Sequence, residues 1–390
     1  MALNPQRARC AAFALLCALC LIAWQALTVR YTYSGNWTGL FCTGAQFPPP
    51  PPLASEHLYV FPKAGYDGQA YHDIAHDPFF RRGFARYIDA PRLRYRRILV
   101  PGLAFLLAGG RDGAVDAAYI AVVLCFIALG AWWLARLGVL FGYGARLGLC
   151  FAAVPAVLIS VDRMTVDVAF AALIVGFVLY ARQWRAGRLY AVLVAAGLSR
   201  ETGLLLAAAC VLWLAWERRF RAALLFSTAA LPATAWMIFV QLRTSPVDAH
   251  LLTWRLLSGF VGRLLHPFAA APSPAIRAFI DTFDVVALAA VGLALVWAAL
   301  SAWRRTLTPV SIAIYLFALL VMVLAPGDAW SDVYSFGRTL SPLLLLCALD
   351  GLAERKFWPS LSVLLVDPAV GLLMGWQLLK VLHGLASEIR

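Results

Sequence analysis

Residues Cys10–Val29 read CAAFALLCALCLIAWQALTV and contain no charged side chain. The hydrocarbon core of a bilayer is about 30 Å thick, and a helix needs about 20 mostly apolar residues to cross it. This stretch therefore predicts a membrane-spanning helix. The basic flank MALNPQRAR precedes it, and no clear small-residue cleavage site follows it. We expect a retained signal anchor over residues 1–29, with a cleaved signal peptide as the alternative.

The composition of the whole chain agrees with this first stretch. Of the 390 residues, 62% are hydrophobic and only 14% are charged, whereas about 25% of the residues in soluble domains are charged. An ordinary soluble enzyme is therefore excluded. The formal net charge of +13 would suggest nucleic-acid binding in a soluble protein, but here the loops between apolar runs explain it, and we expect no nucleic-acid partner. The cysteines predict neither a disulfide framework nor a metal site.

Apolar runs recur along the chain, and we predict an all-α polytopic membrane protein with about 11 transmembrane helices. The run Ile98–Ala108 is about half as long as a crossing, so we assign it to a helix at the membrane surface. The predicted spans are Ala11–Val29, Val115–Ala135, Leu147–Val161, Val166–Ala181, Leu189–Leu198, Gly203–Trp216, Ala222–Leu242, Phe283–Trp303, Val310–Ala325, Thr339–Leu352 and Leu361–Leu382.

The distribution of basic residues orients these spans. Short cytoplasmic loops collect Lys and Arg, and every second predicted connection holds two or three of them, whereas the alternate short connections hold one. With the first residues inside, segment 30–114 becomes a long extracytoplasmic loop containing amphipathic helices. Further spans occupy 115–242, a second outer loop follows at 243–282, and the remaining spans lie within 283–390.

The outer loop carries the most informative polar stretch, GYDGQAYHDIAHDPF at Gly65–Phe79. Asp67 lies in a Tyr-Asp-Gly turn, where Gly68 allows the backbone to approach a ligand closely, and helical spacing follows up to Pro78. A carboxylate in an apolar-walled crevice can acquire a pKa suited to removing a hydroxyl proton. We therefore predict Asp67 as a general base, with Asp73 as the second candidate. A turn or N-cap role is the alternative for Asp67.

His72 and His76 lie four residues apart in this predicted helix, so their side chains share a face. The spacing permits shared metal ligation, but the sequence offers neither an HExxH motif nor an obvious third ligand. We therefore assign no metal and no cofactor, and we place His72 among the substrate-binding candidates. A hydrogen-bonded surface pair is the alternative.

Polar residues at membrane depth are costly, and they indicate functional sites when they face a cavity. One such stretch, Asp162–Asp167, lies between two predicted spans. Arg163 in this stretch can pair with Asp162 or with Asp167. A second stretch, Ser199-Arg200-Glu201-Thr202, lies between two short apolar runs. An Arg200–Glu201 pair would staple two helices there, or Arg200 would be presented to a lipid phosphate.

Two further sets of arginines suit a phosphate at headgroup depth. Arg338 begins an apolar run at the predicted outer surface, where it would clamp a phosphate or simply extend to the interface. Arg96 or Arg97, beside the surface helix, would bind phosphate or anchor the interface. The chain has no GxxxxGK[ST] loop and no Rossmann fingerprint, so a lipid-linked donor fits better than a soluble nucleotide.

The layout resembles the GT-C superfamily of integral-membrane glycosyltransferases, which use polyprenyl-phosphate sugars. The resemblance rests on Tyr-Asp-Gly-Gln with a following aromatic at Tyr66–Tyr71, Asp-Pro-Phe at Asp77–Phe79, Tyr-Arg-Arg-Ile-Leu at Tyr95–Leu99 and Ser-Arg-Glu-Thr-Gly at Ser199–Gly203. In that superfamily an outer-loop Asp is the catalytic base, and Asp67 matches it. That Asp often lies closer to the first span or beside a second acid, so the resemblance leaves both Asp67 and Asp73 as candidates.

These observations together predict an inverting glycosyltransferase of a bacterial inner (plasma) membrane, with its active site facing the periplasm or outside. Its partners would be a polyprenyl-phosphate sugar donor, a glycan or lipid acceptor and membrane lipids. A transporter or flippase is the alternative function, and a noncatalytic membrane scaffold is the third. The predicted catalytic residues are Asp67 and Asp73, and the predicted substrate-binding residues are Tyr66, Gln69, His72, Arg96, Arg163, Arg200, Glu201 and Arg338.

Overall fold

A computed structural model describes residues 5–54, 57–246, 251–266, 273–304 and 307–389 of the protein. Within these ranges the fold is all-α apart from a short parallel pair of strands, β1 (Thr43–Gly44) and β2 (Val60–Phe61). The predicted fold class is confirmed at this level.

A segment of short elements follows the first helix. It holds short helices, turns and the strands β1 and β2, and α5 covers nine residues, which is too short to cross a bilayer. The helices here are α1 (Pro5–Thr32), α2 (Pro51–Ala54), α3 (Asp67–His76), α4 (Pro91–Tyr95) and α5 (Leu99–Leu107).

The remaining α-helices include those of the other predicted spans, and α13 (Ser258–Leu265) lies in the predicted second outer loop. They are α6 (Asp112–Phe141), α7 (Pro155–Arg163), α8 (Asp167–Arg182), α9 (Ala186–Ser199), α10 (Leu204–Trp216), α11 (Phe220–Ser227), α12 (Leu231–Arg243), α13 (Ser258–Leu265), α14 (Pro274–Trp303), α15 (Pro309–Val323), α16 (Val333–Ala353), α17 (Leu361–Leu364), α18 (Asp367–Leu373) and α19 (Gly375–Ile389).

Fewer of these helices than predicted are long enough to cross a membrane. Among the described residues, five helices have the length and apolar composition for a crossing, or up to seven if each bent pair forms one span. Helices α9, α10 and α15 contain 14, 13 and 15 residues, and at 1.5 Å per residue such helices reach only about 20 Å. The count of about 11 spans therefore remains a prediction.

Two bends interrupt predicted spans. The 3-10 segment Ala145–Ala153 meets α7 at 59°, and the segment Trp358–Leu373 meets α19 at 64°. The second bend follows Leu373 and not the Asp367-Pro368 pair that precedes it. Pro368 lies at the start of α18, where a helix does not need its missing N–H, so it causes no kink.

Helix α8 lies at the centre of the bundle. Every residue from Asp167 to Tyr180 is buried, and α8 packs against α6, α9 and α16. A connection of only three residues turns the chain from α8 into α9, so the two helices run antiparallel. The start of α8 therefore lies beside the end of α9, at the end of the bundle that α3 and α4 cover.

Candidate functional site

Asp67 is the first residue of α3, and it is held by arginines from two other helices. Its Oδ2 lies 2.5 Å from Nη1 of Arg94 on α4, and it also pairs with Nη1 of Arg338 on α16. The side chains of Asp67, Arg94 and Arg338 are only 9%, 12% and 11% exposed. The carboxylate predicted as a base therefore lies in a buried, strongly cationic environment rather than in open water.

A second carboxylate extends this network into the bundle. Asp167, in the first turn of α8, pairs with Arg200, and its Oδ2 lies 3.8 Å from Nη1 of Arg338. An acid in a first helical turn also interacts favourably with the helix dipole. We refer to Asp67, Arg94, Asp167, Arg200 and Arg338 as the arginine–carboxylate cluster.

A separate bidentate pair borders the cluster. Arg97 donates from Nη2 to Oε1 of Glu201 at 2.9 Å and from Nε to Oε2 at 3.2 Å. Its remaining Nη1 donates to the Tyr71 hydroxyl at 2.9 Å. This arrangement matches the fork of the guanidinium to both carboxylate oxygens and joins the segment after α4 to the 3-10 turn Glu201–Gly203 that precedes α10.

Two guanidinium groups of the cluster keep unused donors. Within the part of the chain that the structure describes, the Nε atoms of Arg200 and Arg338 are buried and have no hydrogen-bond partner. Buried N–H groups are normally paired, because leaving one unpaired costs about 1–3 kcal/mol. The arrangement can therefore accept an anionic ligand with oxygen acceptors.

A cavity of about 120 Å³ opens beside Asp67 and brings the two predicted catalytic acids together. Asp73 lines it, and its buried Oδ2 has no hydrogen-bond partner among the described residues. The cavity is lined by Phe47, Ala64, Gly65, Tyr66, Asp67, Gln69, Ala70, Asp73, Tyr87, Ile88, Asp89 and Arg94.

The environments of the two acids move their pKa values in opposite directions. Burial raises the pKa of Asp73 to about 8. Burial would also raise the pKa of Asp67, but the guanidinium groups of Arg338 and Arg94 outweigh it and hold that pKa well below its usual range. A pair of acids separated in this way is typical of sites where one group is ionised and the other holds a proton at neutral pH.

The other candidates from the Tyr66–Tyr71 motif support the cavity wall. The guanidinium of Arg338 lies 5.0 Å from the ring centre of Tyr66, within cation–π distance. Gln69 donates to the Phe47 carbonyl at 2.6 Å and accepts from the Gly44 amide at 3.0 Å. The amide of Gln69 is therefore committed to the loop backbone.

Gly68 corrects one expectation. A side chain on Gly68 would collide with the carbonyl oxygens of Arg163 and Phe41. The close approach that this glycine permits is therefore to the chain's own backbone, not to a ligand.

The structure also selects among the predicted ion pairs. Arg163 pairs with Asp162 at 3.1 Å and not with Asp167. Arg200 and Glu201 do not pair with each other but with Asp167 and Arg97. The predicted Arg200–Glu201 staple is therefore replaced by two pairs that cross between helices.

The candidates His72 and Arg96 belong neither to the arginine–carboxylate cluster nor to the residues that line the cavity. His72 contacts Asp116 at 2.6 Å, and it is not among the residues that line the cavity. Arg96 is half-buried at the end of α4, and its neighbour Arg97 makes the contacts to Tyr71 and Glu201 instead. Of the residues that sequence reasoning missed, Arg94 is the most important, and its place in the basic run Arg92–Arg97 was the available signal.

The buried Asp167–Arg200 pair leads to a stability prediction. Asp167→Ala leaves the guanidinium of Arg200, only 6% exposed, without its carboxylate. Breaking a buried pair from one side costs about 3–5 kcal/mol, so thermal unfolding in detergent should occur at a clearly lower temperature. Glu388→Gln is the matched control, because its pair with Arg30 is exposed and such pairs contribute about 0–1 kcal/mol. Equal unfolding temperatures of Asp167→Ala and Glu388→Gln would contradict a stabilising role of the buried pair.

Comparison of the chain with protein-family models, with curated proteins and with solved structures found no match. The fold and the site therefore define the class: a helical protein with several helices able to cross a membrane and a buried arginine–carboxylate cluster at one end of its bundle.

Proposed function

We propose that the protein is a membrane glycosyltransferase of the GT-C type, which transfers a sugar from a polyprenyl-phosphate donor to an acceptor hydroxyl on the extracytoplasmic face. The observation that carries the proposal is the convergence of Arg94 and Arg338 on Asp67 at the edge of a cavity that also contains Asp73. It brings together a carboxylate for the acceptor and guanidinium groups for a phosphate.

The guanidinium groups are suited to the leaving phosphate. Arg338 and Arg200 each have a buried Nε without a partner in the described residues, and guanidinium groups bind phosphate oxygens in a bidentate manner. Negative charge grows on the phosphate oxygen as the glycosidic bond breaks. Fixed positive groups in a buried site stabilise such charge strongly, because little solvent has to reorganise.

Asp67 takes the proton of the acceptor hydroxyl in this proposal. The acceptor oxygen forms a bond to the anomeric carbon, the bond from that carbon to the phosphate oxygen breaks, and its electron pair leaves with the polyprenyl phosphate. In the free protein Arg94 and Arg338 make Asp67 a weak base. A bound phosphate would share these arginines, which raises the proton affinity of Asp67 when both substrates are present.

The pH dependence of transfer distinguishes Asp67 from Asp73 as the base. Asp67 has a lowered pKa and is ionised across the neutral range, so transfer should not rise as the pH passes through about 8. A base at Asp73, whose pKa is raised to about 8, loses its proton only near that pH and would give a rate that increases through it. Initial rates between pH 6 and pH 9 at saturating donor would measure the difference. If the rate of transfer increases through about pH 8 in the unmodified chain and this increase is absent in Asp73→Asn, Asp73 is the base and not Asp67.

The direct test uses the purified chain in lipid nanodiscs with a panel of radiolabelled polyprenyl-phosphate sugars and a lipid or glycan acceptor extract. Formation of a labelled product together with release of polyprenyl phosphate supports the proposal. Reconstitution in proteoliposomes separates the alternative, because movement of a lipid-linked or polar substrate without any acceptor would indicate a transporter or flippase.

A further inference from the structure

A second polar cluster joins α3 to the first turns of α6. His72 Nε2 lies 2.6 Å from Oδ1 of Asp116, and His76 Nε2 lies 3.3 Å from His72 Nε2 and 4.0 Å from the same Oδ1. Both histidine side chains are buried, whereas Asp116 is 32% exposed. We refer to His72, His76, Asp112 and Asp116 as the histidine cluster.

We propose that the histidine cluster binds one divalent transition-metal ion, with Zn²⁺ as the best fit, through His72 Nε2, His76 Nε2 and Asp116 Oδ1. Tetrahedral Zn²⁺ with bonds of about 2.0–2.1 Å places its ligand atoms about 3.3 Å apart. The three distances, 2.6, 3.3 and 4.0 Å, scatter around this value. Small side-chain rotations would therefore equalise them around an ion.

The surroundings of His76 support the assignment independently. Its other ring nitrogen, Nδ1, lies 2.8 Å from Oδ1 of Asp112, and that oxygen also accepts from Nη1 of Arg82 at 2.6 Å. A proton on Nδ1 leaves the Nε2 lone pair directed at His72 and Asp116. A carboxylate behind a histidine in this way is the usual second layer of a metal site, where it fixes the tautomer and strengthens the ligand.

The sequence alone suggested no metal because the two histidines lacked a third ligand. Asp116 supplies it from a position 44 residues beyond His72, which only the folded chain brings near. The partial exposure of Asp116 gives the ion a path from solvent and leaves the fourth position open to water.

The role of this ion would be to fix α3 against α6. Neither His72 nor His76 lines the cavity that Asp67 and Asp73 share, so the ion would position the helix that carries the acids. The proposal does not depend on glycosyl transfer, and it holds or fails on metal binding alone.

The experiment measures metal binding by the full chain, purified in detergent through a tag that contains no histidine. The protein is stripped with a chelator, dialysed against a buffered micromolar concentration of free Zn²⁺ and analysed by mass spectrometry. We expect about one Zn²⁺ per chain and a higher thermal unfolding temperature with Zn²⁺ than without. Visible absorption of the Co²⁺-loaded protein should show tetrahedral coordination.

Three substitutions and one control test the ligands. His76→Gln and Asp116→Asn should each abolish binding at this concentration, and Asp112→Asn should weaken it by about 10–100-fold. His383→Gln, on the exposed surface of α19, should bind as the unmodified chain does. Failure of the unmodified chain to retain Zn²⁺ or Co²⁺ would overturn the proposal even if no variant folds. An equal loss in His383→Gln would overturn it as well.

Discussion

Asp67→Asn is expected to lower sugar transfer by roughly 10²–10⁴-fold, the usual contribution of a positioned general base. The amide has nearly the same shape as the carboxylate but cannot accept the acceptor's proton at neutral pH. Arg94 and Arg338 would then face the donor phosphate with one competing carboxylate fewer, although Asp89 still pairs with Arg94 and Asp167 still lies 3.8 Å from Arg338. Donor affinity should therefore be maintained or increased, and the loss should fall on kcat. Steady-state rates with a labelled polyprenyl-phosphate sugar measure both quantities.

Two controls accompany this prediction. Because Asp67→Asn also breaks buried ion pairs, its unfolding temperature and elution volume must be compared with those of the unmodified chain. Glu388→Gln makes the same chemical change at an exposed position and should transfer sugar normally. Full activity of Asp67→Asn would remove Asp67 from the role of base.

Arg338→Ala is expected to reduce kcat by about 10²–10³-fold, the typical effect of removing one preorganised group that stabilises developing charge. Arg338 contacts Asp67 and lies 3.8 Å from Asp167, so its loss affects both carboxylates of the cluster. Arg338→Lys keeps the charge but loses the planar fork and should recover only part of the rate. The comparison of Arg338→Ala with Arg338→Lys separates the effect of the positive charge on kcat from the effect of the planar guanidinium geometry.

The control for Arg338 is Arg30→Ala, whose guanidinium is 66% exposed and pairs only at the surface. It should leave both stability and transfer unchanged. If Arg338→Ala folds and transfers sugar as fast as Arg30→Ala, the phosphate does not lie at the cluster.

The local part of this architecture could be predicted from sequence because it depends on hydropathy alone. Apolar runs mark the helices, and acids or arginines within them mark unusual burial. Arg200 and Arg338 were found in this way, Asp67 was found from the Tyr-Asp-Gly turn of the outer loop, and the structure brings the three into one network through Asp167. Their convergence itself required the packing of α3, α8 and α16, which no local pattern specifies.

The pairing of charges was the part that sequence could not resolve. Arg200 and Glu201 are neighbours, yet Arg200 pairs with Asp167 on α8 and Glu201 pairs with Arg97 after α4. Similarly, Arg96 and Arg97 are adjacent, and only Arg97 reaches Glu201. These neighbours lie in the turns that end α4 and α9, where Arg200 has an extended backbone and Glu201 begins a 3-10 turn, so the conformation of each turn decides which of two neighbours enters a site. The conformation of such turns follows from packing across the bundle.

The contact between α1 and α19 has a consequence for biogenesis. Gln377 at the start of α19 donates to the hydroxyl of Tyr33, just after α1, across a separation of 344 residues. At the usual rates of translation, about 5–20 residues per second, roughly 17–70 s pass between the synthesis of these two partners. During that interval α1 is without this neighbour. The contact between α1 and α19 therefore forms late, after α6 and the other helices between them have been synthesised.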